Sequence, residues 1–202
     1  MTYIHSYNQL DTGTGSNLSN FRSFTESIFA SAVPTSSNSY GAQLSWELSD
    51  RLVIGGWAGY TNARTLNTLD GNLNRGSLDI WNWALTLAVK DVGKEGSVAG
   101  LIVGIEPRLV DSSVNLGDIA GEDEDTSLHL EAFYEYKLND NIVITPGFIW
   151  ITAPNHNQDN NDLVIGVVRT TTVSMIERLR AKSLSLKSIR PFFMLRRGWA
   201  KK

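Results

Sequence analysis

Residues 127–152 read SLHLEAFYEYKLNDNIVITPGFIWIT, and this stretch decides the fold. Leu128, Leu130, Ala132, Tyr134, Tyr136 and Leu138 alternate with His129, Glu131, Phe133, Glu135 and Lys137. That is the period-two pattern of a strand with one apolar and one mostly polar face. Asn139-Asp140-Asn141 then turns the chain, because Asn and Asp tolerate the positive φ of a tight hairpin. The returning arm places Ile142, Ile144, Pro146, Phe148 and Trp150 on one side. Each arm is about 11 residues long, the length a tilted strand needs to cross a bilayer.

The same unit recurs outward from this hairpin. Residues 2–9 read as a short strand, and 10–38 as a long Gly/Ser/Thr/Asn-rich loop with a short helix near Phe24–Ala32. Tyr40–Leu48 alternates cleanly, with Gln43 and Glu47 on its polar side, and Ser49–Arg51 is a tight turn. In Leu52–Thr61 either Leu52/Ile54/Ala58/Tyr60 or Val53/Trp57 forms the apolar face, and the first set is favoured. Leu78–Lys90 sets Trp81, Trp83, Leu85, Leu87 and Val89 against Asn82, Ala84, Thr86, Ala88 and Lys90. Ser97–Val110 sets Ala99, Leu101, Val103, Ile105, Pro107 and Leu109 against Gly100, Gly104, Glu106 and Arg108. Asp162–Thr171 completes eight strands.

Connection lengths sort by side. The loops after strands one, three, five and seven span 10–38, 62–77, 111–125 and 153–161, while the turns after two, four and six span 49–51, 91–96 and 139–141. Outer-membrane barrels have long loops at one end and short turns at the other. Tyr40, Tyr60, Trp81, Phe148 and Trp150 fall near the long-loop ends, and Trp46, Tyr134 and Tyr136 nearer the short turns. Two belts of amphipathic rings are what two membrane–water interfaces select. The competing reading is a soluble barrel of lipocalin-like type, whose apolar faces line a cavity and whose polar faces meet water.

Composition narrows the function classes. The chain has 202 residues, 17 Gly and no Cys, which excludes a disulfide scaffold and a thiolate zinc site. No apolar run is long enough for a membrane helix, although alternation hides barrel strands from such a search. MTYIHSYNQL lacks the features of a signal peptide, so the beginning of a longer protein is expected to be missing. Residues 1–171 carry 9 Lys+Arg against 20 Asp+Glu, whereas 172–202 carry 9 against 1, which divides the chain into an acidic body and a basic tail.

No catalytic constellation is present, and neither a cofactor nor a metal is implied. His5, His129 and His156 lack ligand spacing and are read as solvated or lumen-facing. Glu122–Asp125 lacks the spaced ligands and glycine of a calcium loop and is read as a solvated acidic loop. Gly13-Thr14-Gly15-Ser16 is not followed by the lysine of a phosphate loop. The body has no basic patch for nucleic acid. What remains is pore chemistry: Gln43, Glu47, Asn82, Lys90, Glu106, Arg108, Glu131, Glu135 and Lys137 fall on polar faces, where they would keep a lumen wet and bias the solutes that pass. Glu106 and Arg108, two apart, are expected to point the same way.

The runs SNSYGAQLSWELSDRLVIGGWAGYTNAR, GSLDIWNWALTLAVKDVGKEGSVAGLIVGIEPRL and SLHLEAFYEYKLNDNIVITPGFIWITAPNHNQDNNDLVIGVVRTT, with the earlier DTGTGSNLSN, resemble the C-terminal half of cyanobacterial carbohydrate-selective (OprB-type) porins, some of them labelled iron uptake porins. The resemblance covers about residues 1–171. It implies an all-β, antiparallel up-and-down transmembrane barrel of about sixteen strands in the outer membrane, of which about eight are here. A lipid bilayer and small hydrophilic solutes such as carbohydrates or inorganic ions would be its partners, and the full-length parent could assemble as a homotrimer. Members close with an aromatic-terminated strand. After Arg169-Thr170-Thr171 this chain instead continues TVSMIERLRAKSLSLKSIRPFFMLRRGWAKK, read as a non-barrel segment from a frame change or fusion, with a basic amphipathic membrane-surface helix as the alternative. On that reading the isolated piece is a non-functional porin fragment.

Overall fold

A computed structural model describes residues 1–115 and 121–172. Eight strands form one antiparallel sheet in sequence order: β1 (Thr2–Tyr7), β2 (Thr35–Glu47), β3 (Leu52–Thr65), β4 (Ser77–Lys90), β5 (Val98–Ser112), β6 (His129–Asn139), β7 (Ile142–Ile151) and β8 (Leu163–Thr172). One α-helix, α1 (Phe21–Phe29), interrupts the first long connection. Among the described residues the sheet is open, with β1 and β8 at its edges. The fold is thus the expected all-β up-and-down meander. The expectation for the tail beyond Thr172 lies outside the described residues.

The hairpin closes at 139–141 as expected, but without the positive φ expected of its Asn and Asp residues: the Asn141 N–H instead donates to Asn139 Oδ1 at 2.8 Å, a local side-chain turn. At the turn between β2 and β3, Ser49 Oγ accepts from the Leu52 N–H at 3.1 Å. Long and short connections alternate in the order the sequence indicates.

Registers define the two faces. Tyr40, Ala42, Leu44 and Trp46 pair with Tyr60, Ala58, Gly56 and Ile54, and these face the same way as Trp81, Trp83, Leu85 and Leu87. The favoured set on β3 therefore belongs to the apolar face, and Trp57 to the other. Leu101, Val103, Leu130, Trp150, Phe148 and Val168 continue the apolar face across the sheet. It is bare: Leu44, Trp46 and Leu85 are 72%, 61% and 64% exposed. In water a contiguous apolar face of this size would be left uncovered.

A row of rings crosses this face at the long-loop end. Tyr3 and Tyr40 lie 5.2 Å apart between centroids, Tyr40 and Tyr60 6.3 Å, and Tyr60 and Trp81 5.0 Å. Below the row the face is apolar. Above it the chain turns polar: Tyr3 Oη donates to Asn38, and Tyr60 Oη and Asn62 Nδ2 both donate to Asp79.

The strands continue past this row, which the sequence reading did not anticipate. β2 begins at Thr35 and β3 runs to Thr65. In these extensions the polarity of the faces inverts. Ala63, Leu78, Ile80 and Leu109, on the face opposite the rings, are buried against Leu10, Phe21 and Val33 of the first connection and Leu69 and Leu73 of the second. This small core holds the long loops against one face of the sheet.

The helix starts three residues earlier than expected because Asp11 reaches back to it, accepting from the Ser23 N–H at 3.0 Å. It stops at Ala30, which is left-handed (φ 51°). Arg22 donates to the Val33 carbonyl, and Thr25 Oγ1 accepts from the Val33 N–H, which pins the return of the chain into β2.

Candidate functional site

The first connection, residues 8–34, folds back over the face opposite the rings. It approaches β5 closely at Gly15, which has φ +83° and a backbone so near β5 that a Cβ there would sit 2.2 Å from the Pro107 carbonyl oxygen. Only glycine meets both demands. The Gly15 N–H donates to Glu106 Oε2 at 3.2 Å, and the Ser16 N–H to the Pro107 carbonyl at 3.1 Å.

Three long connections are tied together beyond this contact. Ser16 Oγ donates to Asp123 Oδ2 at 2.6 Å, and the same carboxylate oxygen accepts the Leu109 N–H at 2.7 Å. The Ser127 N–H donates to His156 Nδ1 at 2.8 Å, and the Asn17 N–H donates to Asn155 Oδ1 at 2.7 Å. Burial pushes the Asp123 carboxyl up from its ordinary value, against the pull of the Ser16 and Leu109 hydrogen bonds, His156 and Arg108. Burial pushes the His156 imidazole down, and Asp123 opposes it. With Nδ1 accepting, the ring proton of neutral His156 sits on Nε2.

Two sequence expectations are corrected here. His156 is 2% and Asp123 6% exposed, so neither the histidine nor the middle of the acidic loop is solvated. The surrounding connections supply buried partners that linear spacing could not reveal, and Glu122 and Glu124 alone keep the exposed character.

A third correction concerns β5. Trp83 pairs with Ile105 but Trp81 with Arg108, so β5 holds one extra residue between them. Such a bulge reverses the alternation beyond it. Leu109 therefore leaves the apolar face and packs with Ile80 in the core, and Arg108 does not share a face with Glu106. Its guanidinium donates instead to the Asp123 carbonyl at 2.7 Å.

The other candidates lie on the loop-covered face. Glu47 and Lys90 form an exposed ion pair at 2.8 Å near the short turns, and Lys137 pairs with Asp140 at 3.1 Å. Gln43 registers beside Trp57, and Glu135 beside Val98. Asn82, Glu106 and Glu131 come together with Thr12, Thr14, Trp57 and His129 around an open cavity of about 570 Å³ beneath the infolded loop. His129 stands between two carboxylates, Nδ1 3.4 Å from Glu106 Oε1 and Nε2 3.6 Å from Glu131 Oε2. Among the described residues no three His, Asp or Glu side chains are grouped so as to hold a metal ion. Trp57, Thr12 and Thr14 escaped the sequence reading. A tryptophan on an otherwise polar face was the available signal for the first, and the two threonines gave none.

The family model described as "Carbohydrate-selective porin, OprB family" matches residues 1–173. An uncharacterized protein, alr4550, of Nostoc sp. (strain PCC 7120) is 33% identical over 181 residues, which cover 84% of this chain and 28% of that protein. Another, sll0772, of Synechocystis sp. (strain PCC 6803) is 33% identical over 187 residues, covering 84% and 32%. The chain thus spans about a third of the length of these relatives. No solved structure matches it.

Proposed function

The chain belongs to the OprB family of carbohydrate-selective porins, and from that premise we propose that its strands form part of an outer-membrane barrel that admits small hydrophilic solutes, carbohydrates among them, by passive diffusion. The observation that carries this reading is the bare apolar face below the Tyr3–Tyr40–Tyr60–Trp81 row together with the inversion of polarity above it. Hydrocarbon rewards an apolar exterior only up to the interface, where Tyr and Trp rings sit; past that level the exterior must be polar again.

Eight strands closed on themselves leave room only for their own side chains. Conduction therefore calls for further strands completing a wider barrel, which also removes the free edges of β1 and β8, where each unsatisfied backbone group in lipid costs several kcal/mol. In that barrel the loop-covered face lines the lumen, with Gln43, Glu47, Asn82, Lys90, Glu106, Glu131, Glu135 and Lys137 toward water, and residues 8–34 narrow the passage. Arg108 serves the loop anchor.

Liposome swelling tests the reading. Protein extracted from its native membrane and reconstituted should pass small sugars and exclude larger ones, with no saturation typical of turnover. A chain that stays monodisperse and sheet-rich in buffer without detergent would overturn it.

A further inference from the structure

We infer that the cavity beneath residues 12–15 is a cation-selective constriction, with Glu106 and Glu131 its determinants and the exposed face of Trp57 its apolar wall. The inference rests on the porin reading and adds a sign to the filter. Its lining carries two carboxylates and one histidine, and no Lys or Arg among the described residues. One imidazole, whatever its protonation, cannot neutralise both carboxylates, so the site keeps a net negative charge.

The other charges on this face do not cancel it. Lys90 is paired with Glu47 and Lys137 with Asp140, both near the short turns. Arg108, which the bulge takes off this face, is turned to the carbonyls of Asp123 and Glu124. Arg169 shares a neighbouring groove with Glu131, but it lies two strands over and four residues nearer the short turns, since Glu131 registers through Ile149 to Ile165.

Position is enforced as well as charge. Glu106 is fixed on one side by the Gly15 N–H and on the other by His129, so its carboxylate stands at the edge of the infolded loop rather than folding away. Trp57 is 47% exposed on this face, and an aromatic face attracts cations and repels anions. Carboxylates and ring thus favour the same ionic sign.

A net single charge about 6 Å from a passing ion, in water-like dielectric, changes the cation-to-anion permeability ratio by about tenfold at low ionic strength, and less as salt screens it. The test is the reversal potential in a planar bilayer under a KCl gradient, with protein extracted from its native membrane. Expected is a ratio near that value, falling toward one in Glu106→Gln/Glu131→Gln and unchanged in Asp50→Asn, which lies in the β2–β3 turn. A wild-type ratio at or below one, or a ratio the double variant leaves intact, would overturn the inference.

A second readout does not depend on conduction. In detergent, with each ion's quenching divided by its quenching of free N-acetyltryptophanamide, the tryptophan emission lost in Trp57→Phe should be quenched more by Cs⁺ than by iodide, and the double variant should equalise them. That result without measurable current would sink the porin reading and keep the cation site. Equal normalised quenching in the unmodified protein would sink the site.

Discussion

Leu85→Arg and its neighbour Thr86→Arg should differ sharply, although both side chains lie at the middle of β4. Leu85 registers beside Gly56 and Val103 on the bare face and is 64% exposed; Thr86 registers beside Gly55 and Ile102 on the opposite face. Leu85 is four residues from Trp81 in the ring row and four from Val89 near the short turn. At ~3.4 Å per residue and a tilt of ~40°, that places it ~10 Å below the interface, close to the centre of an apolar band ~25 Å tall. An arginine on the lipid side at that depth costs about 2–4 kcal/mol, and removing the leucine forfeits about 1.5–3 kcal/mol of apolar burial. A total of about 4 kcal/mol or more would lower the urea midpoint by about 2 M for an m-value of about 2 kcal/mol/M. In water, an exposed leucine replaced by arginine would change stability by no more than about 0.5 kcal/mol. Reversible unfolding from lipid vesicles measures both variants, with Thr86→Arg expected within about 1 kcal/mol of the unmodified protein. Equal effects of the two substitutions, or a neutral Leu85→Arg, would refute the assignment of the bare face to hydrocarbon.

Gly15→Ala forces a Cβ to within 2.2 Å of the Pro107 carbonyl at a positive φ, so the loop should lift from β5 and single-channel conductance should rise; an unchanged conductance would mean that residues 8–34 do not narrow the passage. Gly104→Ala places a methyl 2.3 Å from the Trp83 carbonyl oxygen and 2.7 Å from Ala84 Cβ, and should cost about 1–3 kcal/mol in the same vesicle unfolding assay. The connection 152–162 should be cut faster by protease at pH 5.5 than at pH 7.5. The folded-state value of His156 is depressed, so its contribution is full above the ordinary histidine range and is lost as pH falls through the depressed value. The raised Asp123 carboxyl works the other way, its contribution being full in acid and lost as pH rises, so His156→Gln, and not Asp123→Asn, should flatten the difference.

Local pattern was enough for the scaffold and insufficient for the site. The period of two in Leu128–Leu138, the Asn-rich turn at 139–141 and the sorting of loops by length are properties of neighbouring residues, and strand pairing in a meander is between neighbours, so the sheet, its order and most of its faces follow from them. Parity, however, is a running count. One extra residue before Arg108 reverses it; Pro107, which lacks a ladder donor and sits in a central strand, is its local mark, and the reversed side lets Leu109 pack with Ile80 under the infolded loop. The strand extensions past Tyr40 and Thr61 were hidden for a related reason: above the ring row the buried side of the ribbon changes, and Ala63, Leu78 and Ile80 are apolar toward the loop rather than toward the ring face.

What the amino-acid sequence by itself determined is therefore which segments are strands, how they connect, and which of their two faces is the apolar one below the ring row. Only the tertiary structure decided that residues 8–34 fold over the face opposite the rings, that Asp123 and His156 are buried in the knot of loops, and that Glu106, His129, Glu131 and Trp57 surround one cavity. Gly15 and Glu106 are 91 residues apart in the chain, and Ser16 and Asp123 are 107 apart. Contacts at that separation leave no periodic trace, since each requires only one correctly placed donor and one acceptor after the sheet has brought their segments together.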